Sequence, residues 1–260
     1  DQLLVSMWML RMLGYQQGVT VSFAPKIIPG HAGNGMHVHT RLMRDGKSVM
    51  TEEGHLSDIA RKAIAGYVTL APSLTAFGNM VPTSYLRLVP HQEAPTNVCW
   101  GDRNRSALVR VPLGWLNVKD MARDANPQQI SEARPYGGAQ TVEVRSPDGS
   151  ANVYLLFAGL AVAVRHGLEM ADALDVAARN YVGVNIFAEE QKAVRDRLRQ
   201  LPSSCVEAAD ELLKDRAVYE RDGVFPAVVI DQTAARLKAY GDAGLVERIR
   251  DNEEEVAHLI

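Results

Sequence analysis

Apolar positions recur at helical spacing from the first residues onward. Leu3, Met7, Leu10 and Leu13 fall near one face of residues 1–13, which predicts an amphipathic helix ended by Gly14 and Gly18. The period then changes. Residues 19–26 are rich in β-branched and aromatic side chains and read as a strand. Residues 36–43 alternate and read as a second strand, closed by the Asp45-Gly46 turn, and the two are expected to pair antiparallel. A glycine-rich loop, residues 29–35, lies between them. Ser57 is placed to cap a helix running to about Leu70, with Pro72 breaking or kinking it. Residues 80–105 carry Pro82, Pro90 and Pro95 with little periodicity, the mark of a long functional segment. Residues 107–111 read as a strand stopped by Pro112, and residues 141–145 as another, closed by the turn 146–149. Asn152 caps a helix that is apolar on nearly every face and is therefore expected to be buried on most sides. From about Ala188 the chain turns into charged, Ala- and Leu-rich helices separated by Pro202 and by residues 223–226.

Paired strands alternating with long helices predict an α+β fold: a curved, largely antiparallel sheet backed by helices, with a helical C-terminal extension. Residues 1–187 form the first part of this scheme and residues 188–260 the extension of the same domain. At 47% hydrophobic and 23% charged residues over 260 positions, the composition is that of an ordinary globular chain. A net charge of −3 excludes a protein that coats nucleic acid by bulk charge. No apolar run reaches transmembrane length; the longest, residues 153–164, ends at Arg165 and His166, and no membrane partner is expected. Cys99 and Cys205 are too few for a disulfide framework, so a cytoplasmic location is expected. The chain opens on Asp1 and passes directly into a helical pattern, which suggests a piece cut from something longer.

The charge count hides a sharper fact. Of 28 basic residues 21 are Arg and 7 are Lys, and between Lys62 and Lys119 every one is Arg: Arg87, Arg103, Arg105 and Arg110. The flat, permanently charged guanidinium fork suits carboxylate and phosphate, although surface salt bridges use it too. Three constellations sharpen the chemistry. His37 and His39 are two apart on a strand and so share a face beside the glycine loop; such a pair can bind metal or phosphate, or can be two satisfied structural histidines. Glu143 and Arg145 repeat the spacing, offering a hard-cation ligand beside an anion grip, or a cross-strand salt bridge. In the third, Arg87 and Glu93 precede Arg105 and Arg110, and a Glu93 held among arginines would stay ionised and could take a proton. Together these suggest a site for polyanions plus divalent metal, the combination that phosphoryl transfer needs. No Walker A pattern is present, and the glycine loop does not follow the dinucleotide order.

At these residues the chain resembles the glutamine synthetase family, specifically the C-terminal part of its catalytic domain. Three blocks match in order over roughly residues 19–156: FAPK followed by GNGMHVH, SYLRLVPHQEAP followed by DRNRSALVRVP, and TVEVRSPDGSANVYL. The resemblance implies a partial glutamine synthetase/guanido kinase-like fold. It also implies an ATP-dependent ligase that phosphorylates glutamate to γ-glutamyl phosphate and amidates it with ammonia to give glutamine, using Mg²⁺ or Mn²⁺. By motif position, His37 and Glu143 resemble metal ligands and His39 a nucleotide-site residue. Gly33 resembles the backbone contact to glutamate's amino end. Arg87 and Arg145 resemble the grips on the glutamate carboxylate and the phosphoryl group, Arg105 and Arg110 the grips on ATP phosphates. Glu93 resembles the acid that closes over the site and takes a proton from ammonium. Family members form double-ring dodecamers, so a homo-oligomer is implied for the full-length protein.

The departures are specific. Ala32 stands where the family has Asn, Arg41 where it has Ser, and Leu86 where it has Lys. Gln140 and Thr141 replace a basic pair, which removes part of the phosphate and nucleotide grip. Phe187 aligns with the Tyr that some bacterial members modify with a nucleotide, and a Phe has no hydroxyl to modify. The family's N-terminal β-grasp domain and the first part of its catalytic domain, which supply most carboxylate metal ligands, are not in this sequence, so this piece alone is expected to be inactive. Two other readings stay within the superfamily: a ligase joining glutamate to another amine such as a polyamine, and a non-catalytic homologue. A metal-dependent hydrolase built on the paired histidines would want further ligands at strand ends, and His31, His55 and His91 fall in loop-like stretches.

Overall fold

The computed structural model describes residues 1–90, 94–114, 125–128 and 139–251. The fold is α+β. Helix α1 (Gln2–Gln16) leads into an irregular stretch and then strand β1 (Val38–Thr40). Two small hairpins follow: β2 (Met43–Arg44) with β3 (Lys47–Ser48), and β4 (Thr51–Glu52) with β5 (His55–Leu56). Asp45 and Gly46 both take positive φ at the first turn, as an Asp-Gly hairpin requires. Long helix α2 (Asp58–Gly78) and short α3 (Pro82–Arg87) precede β6 (Trp100–Asp102), β7 (Val109–Val111) and β8 (Val142–Val144). The C-terminal half is helical: α4 (Val153–Glu169), α5 (Ala173–Arg179), α6 (Lys192–Asp196), α7 (Cys205–Lys214), α8 (Arg216–Glu220), α9 (Ala227–Lys238) and α10 (Leu245–Asp251).

The main sheet has the order β1-β8-β7-β6, with antiparallel pairs except for the parallel β6–β7 edge. Behind it α2 is the hub, packing against α4, α5, α7 and α9. Ser57 caps α2 by accepting from the amide of Ala60, and Asn152 caps α4 by accepting from Leu155. The two helices touch backbone to backbone. A Cβ on Gly66 would sit 1.9 Å from the carbonyl oxygen of Ala163, and one on Gly167 would sit 2.1 Å from that of Lys62. Residues of the helical extension, among them Ala208, Leu212, Tyr219 and Leu237, belong to the same buried cluster as Phe77 and Val144. Asp242 fastens this extension by accepting from the amides of Cys205 and Val206 at the start of α7.

Several local expectations are corrected. Residues 19–26 form no strand, and β1 pairs with β8 instead. The carbonyls of Ala24 and Pro25 are taken by Asn34 of the glycine loop, which converts this stretch into one side of a closed loop. Helix α1 runs through Gly14, whose missing side chain lets Val21 return against it: a Cβ there would lie 2.6 Å from Val21. Its apolar residues do not share one buried face, since Leu3, Leu10, Leu13 and also Trp8 and Met9 are exposed. Helix α2 passes Pro72 and ends at Gly78. No single helix among the described residues is long and apolar enough to cross a membrane.

Candidate active site

The site is built around one carboxylate. Register places Glu143 of β8 opposite Arg110 of β7 on one side and His39 of β1 on the other. Directly opposed residues point to the same face, so a single row carries guanidinium, carboxylate and imidazole. Glu143 is fully buried. Its Oε2 accepts from Arg110, whose Nε and Nη2 each lie 2.7 Å away. His37 Nδ1 is 2.7 Å from Oε1, Arg145 Nε is 3.6 Å from the same oxygen, and His39 Nε2 is 4.0 Å from Oε2. Burial by itself would raise the Glu143 carboxyl. The contacts with His37 and Arg110 outweigh it and bring the pKa down to about 2, so the group is a carboxylate at neutral pH. His39 is oriented from its other side, with Nδ1 3.0 Å from Thr141 Oγ1.

Arg145, Arg105 and Arg110 line a cleft of 510 Å³ with Asn104, Ser106, Asn185 and Phe187. The Arg145 guanidinium is buried and donates to the carbonyl oxygens of Arg105 and, at 3.2 Å, Ala107. Asn104 fixes the cleft's rim. Its Nδ2 donates to the carbonyls of Val182 and Val184, and its Oδ1 accepts from the amide and hydroxyl of Ser106. Three guanidinium groups around one opening are an arrangement suited to an anion, with Arg110 and Arg145 also facing Glu143.

The glycine loop closes over Arg87 at the adjoining end of β8. Arg87 is 3% exposed; Nη1 donates to the Ser146 carbonyl at 2.7 Å and Nη2 to that of Arg145 at 3.1 Å. Burial lowers its pKa and Asp148 opposes that effect. Gly33 and Gly35 lie where the backbone passes this side chain: a Cβ on Gly35 would be 2.4 Å from Arg87 Nη2, and one on Gly33 would be 2.3 Å from the Pro25 carbonyl. Lys26, itself buried, donates to the His31 carbonyl inside the loop. Arg87 thus spends its guanidinium on the backbone of residues 145 and 146, with the glycine loop passing directly over it.

The structure therefore brings His37, His39, Arg105, Arg110, Glu143 and Arg145 together, with Arg87 and Gly33 adjoining through the loop. Glu93 lies outside the described residues. Sequence reasoning did not find the roles of Thr141, Asn104 or Ser106. The Asn-Arg-Ser spacing of residues 104–106, which suits a side-chain-to-backbone turn, was the available signal for two of them. For a divalent metal, His37 and Glu143 offer a nitrogen and a carboxylate side by side. Oε1 of Glu143 is buried without a well-aligned hydrogen bond, which leaves it acceptor capacity. No group of three His, Cys, Asp or Glu side chains suited to a metal occurs among the described residues. The residues present thus fit two positions of a hard cation's shell, and the rest must come from other groups.

A family model described as "Glutamine synthetase, catalytic domain" matches residues 1–240. The glutamine synthetase of Pyrococcus furiosus is 36% identical over 224 residues, covering 86% of this chain and 45% of the relative. That of Thermococcus kodakarensis is 39% identical over 208 residues, covering 79% and 41%. The chain thus spans under half the length of these curated relatives. Among solved structures, Plasmodium falciparum glutamine synthetase superposes with a TM-score of 0.69 at 21% identity, over 94% of this chain and 50% of that one. Apo GmaS without ligand superposes with a TM-score of 0.64 at 24% identity, over 91% and 48%. At these identities the two superpositions establish the fold.

Proposed function

This chain belongs to the glutamine synthetase catalytic-domain family, and from that premise we propose that it carries the phosphate and metal side of a glutamate–ammonia ligase site. The observation that supports this most is the row Arg110–Glu143–His39 with His37 and Arg145 beside it, opening into the three-arginine cleft. In this reading a γ-carboxylate oxygen of glutamate attacks the terminal phosphorus of ATP and ADP leaves. Ammonia then attacks the acyl carbon, phosphate leaves, and the nitrogen gives up a proton. Arg105, Arg110 and Arg145 neutralise the anionic oxygens, which lets one anion approach another. Gly33 holds the amino acid through the backbone, and Arg87, proposed from its motif position as a grip on the glutamate carboxylate, lies beneath that loop with its guanidinium on the carbonyls of Arg145 and Ser146. Glu93 takes the proton. His37 and Glu143 would hold a Mg²⁺ or Mn²⁺ ion, which when bound offsets phosphate charge. His39, held by Thr141, faces the nucleotide. The full-length protein is proposed to assemble as a homo-oligomer.

Three measurements test this. Calorimetric titration of the purified chain with MgATP is expected to show binding, and a chain that binds no nucleotide contradicts the reading. Because His37 and Glu143 leave most of a metal's shell to other groups, the 260-residue chain alone is expected to form no glutamine. Glutamine formed by it from ATP, glutamate and ammonia would refute that part. In a polypeptide that supplies the remaining donors, phosphate release is expected with ammonia. Release only with another amine would assign a γ-glutamyl-amine ligase, and release with none a non-catalytic homologue.

A further inference from the structure

The turn after β8 carries a buried carboxylate that the scheme above does not use. Asp148 has no exposed surface, and neither has Asn79 at the end of α2. Asp148 Oδ2 accepts from Asn79 Nδ2 at 2.7 Å, and the same nitrogen donates to the Ser146 carbonyl at 2.8 Å. That carbonyl also takes Nη1 of Arg87, while Nη2 of Arg87 takes the carbonyl of Arg145. Asp148 Oδ1 accepts from the amide and the hydroxyl of Ser150, at 2.9 and 2.6 Å. The Ser150 hydroxyl oxygen accepts in turn from the Met80 amide and lies 3.2 Å from Ser84 Oγ. Ser84 and Arg87 belong to the same short helix, α3. Ser84, Ser150, Asp148, Asn79, Ser146 and Arg87 therefore close a ring that joins the end of α2, α3 and the turn.

The ring is held against a penalty. Asn79 directs its amide nitrogen at two acceptors, and its Oδ1 is buried with no hydrogen-bond partner. Arg87 and Asp148 are opposite charges away from solvent; burial disfavours the ionised form of each, and each opposes that effect on the other. What the ring fixes is the backbone of residues 145 and 146, where β8 leaves the sheet. The Arg145 amide is held there by the Leu108 carbonyl, and its side chain lines the three-arginine cleft. We propose that Asp148 and Asn79 are positioning residues for this cleft, which hold Arg145 in place by fixing the Ser146 carbonyl. This rests on the ligase reading. Neither residue is among the described residues that line the cleft, so both act through the backbone. Without them Arg145 keeps its charge and loses its fixed place, and a preorganised cation is what a developing anion requires.

The test is calorimetric titration of the full chain with magnesium tripolyphosphate, with urea unfolding of every variant alongside. Asp148→Asn keeps the shape, removes the charge and sets one donor against another in the ring. It is expected to weaken binding about tenfold. Asn79→Ser leaves a single donor, which can serve Asp148 or Ser146 but not both, and is expected to weaken binding about threefold. Ser150→Ala removes a hydroxyl from the far side of Asp148 and leaves the Asn79 arm intact. It is expected to lower the urea midpoint and to bind as wild type does. Wild-type affinity in folded Asp148→Asn or Asn79→Ser would overturn the proposal; should Asp148→Asn not fold, Asn79→Ser decides. A loss in Ser150→Ala equal to that in Asp148→Asn would also overturn it, because binding would then follow the stability of the turn. A wild-type chain that binds no tripolyphosphate would contradict the ligase reading and the proposal with it, whereas normal binding by the variants overturns the proposal alone.

Discussion

Glu143 holds four other side chains in place from a position without solvent. His37, Arg110 and Arg145 all approach its carboxylate, with His39 at the margin, so its ionisation is tied to folding as well as to chemistry. Its folded pKa of about 2 lies below the ordinary unfolded value near 4.3, so the unfolded chain binds the proton more readily. The stabilisation is complete above the unfolded value and is lost as pH falls through about 2. Its size is about 3 kcal/mol. Glu143→Gln should therefore lower stability by about that much near pH 6, and the gap from wild type should narrow between pH 4.5 and 2.5. Urea unfolding at a series of pH values measures this, and a gap independent of pH would contradict it. The His37/His39 and Glu143/Arg145 pairs were legible because a period of two puts each pair on one face. That Arg110 stands opposite Glu143 was not legible, because register between strands more than thirty residues apart leaves no local trace. Neither did anything local distinguish Thr141 as the residue that orients His39.

Helix starts were the most legible elements, since a cap is a local hydrogen bond between residues two or three apart. Ser57 and Asn152 both cap as the sequence led one to expect. The stretch 19–26 shows the opposite case. Its β-forming side chains had no partner strand, and the glycine loop claimed its carbonyls. Gly14 was misleading for a related reason: it serves the close return of Val21 and does not stop the helix. Tertiary approach governs Gly66 and Gly167 as well, where α2 and α4 meet without side chains between them. This separates two substitutions. Ser57→Ala should cost about 1 kcal/mol, the loss of one cap. Gly167→Ala must displace the Lys62 carbonyl, or the helix that carries it, and should cost about 3 kcal/mol or more. Thermal or urea denaturation of the two variants ranks them, and a harmless Gly167→Ala would show that the α2–α4 contact is looser than drawn.

At the scale of the molecule, α2 joins the site to the rest. It lies behind β7 and β8, receives α4 and α5, and carries α7 and α9 of the extension. The α+β class and the helical extension could be read from the alternation of periods. The strand order β1-β8-β7-β6 could not, because the strand nearest β1 in sequence with β-forming residues is not its partner. The family match covers residues 1–240, and the strand register sets Arg110, Glu143 and His39 in one row within that span. The central claim is that this face binds metal and nucleotide phosphate together. The direct measurement is paramagnetic broadening of the histidine side-chain resonances on substoichiometric addition of MnATP to the chain. The account predicts that the imidazoles of His37 and His39 broaden first, well before that of His166 on α4. Sharp His37 and His39 signals, or equal broadening at His166, would contradict it.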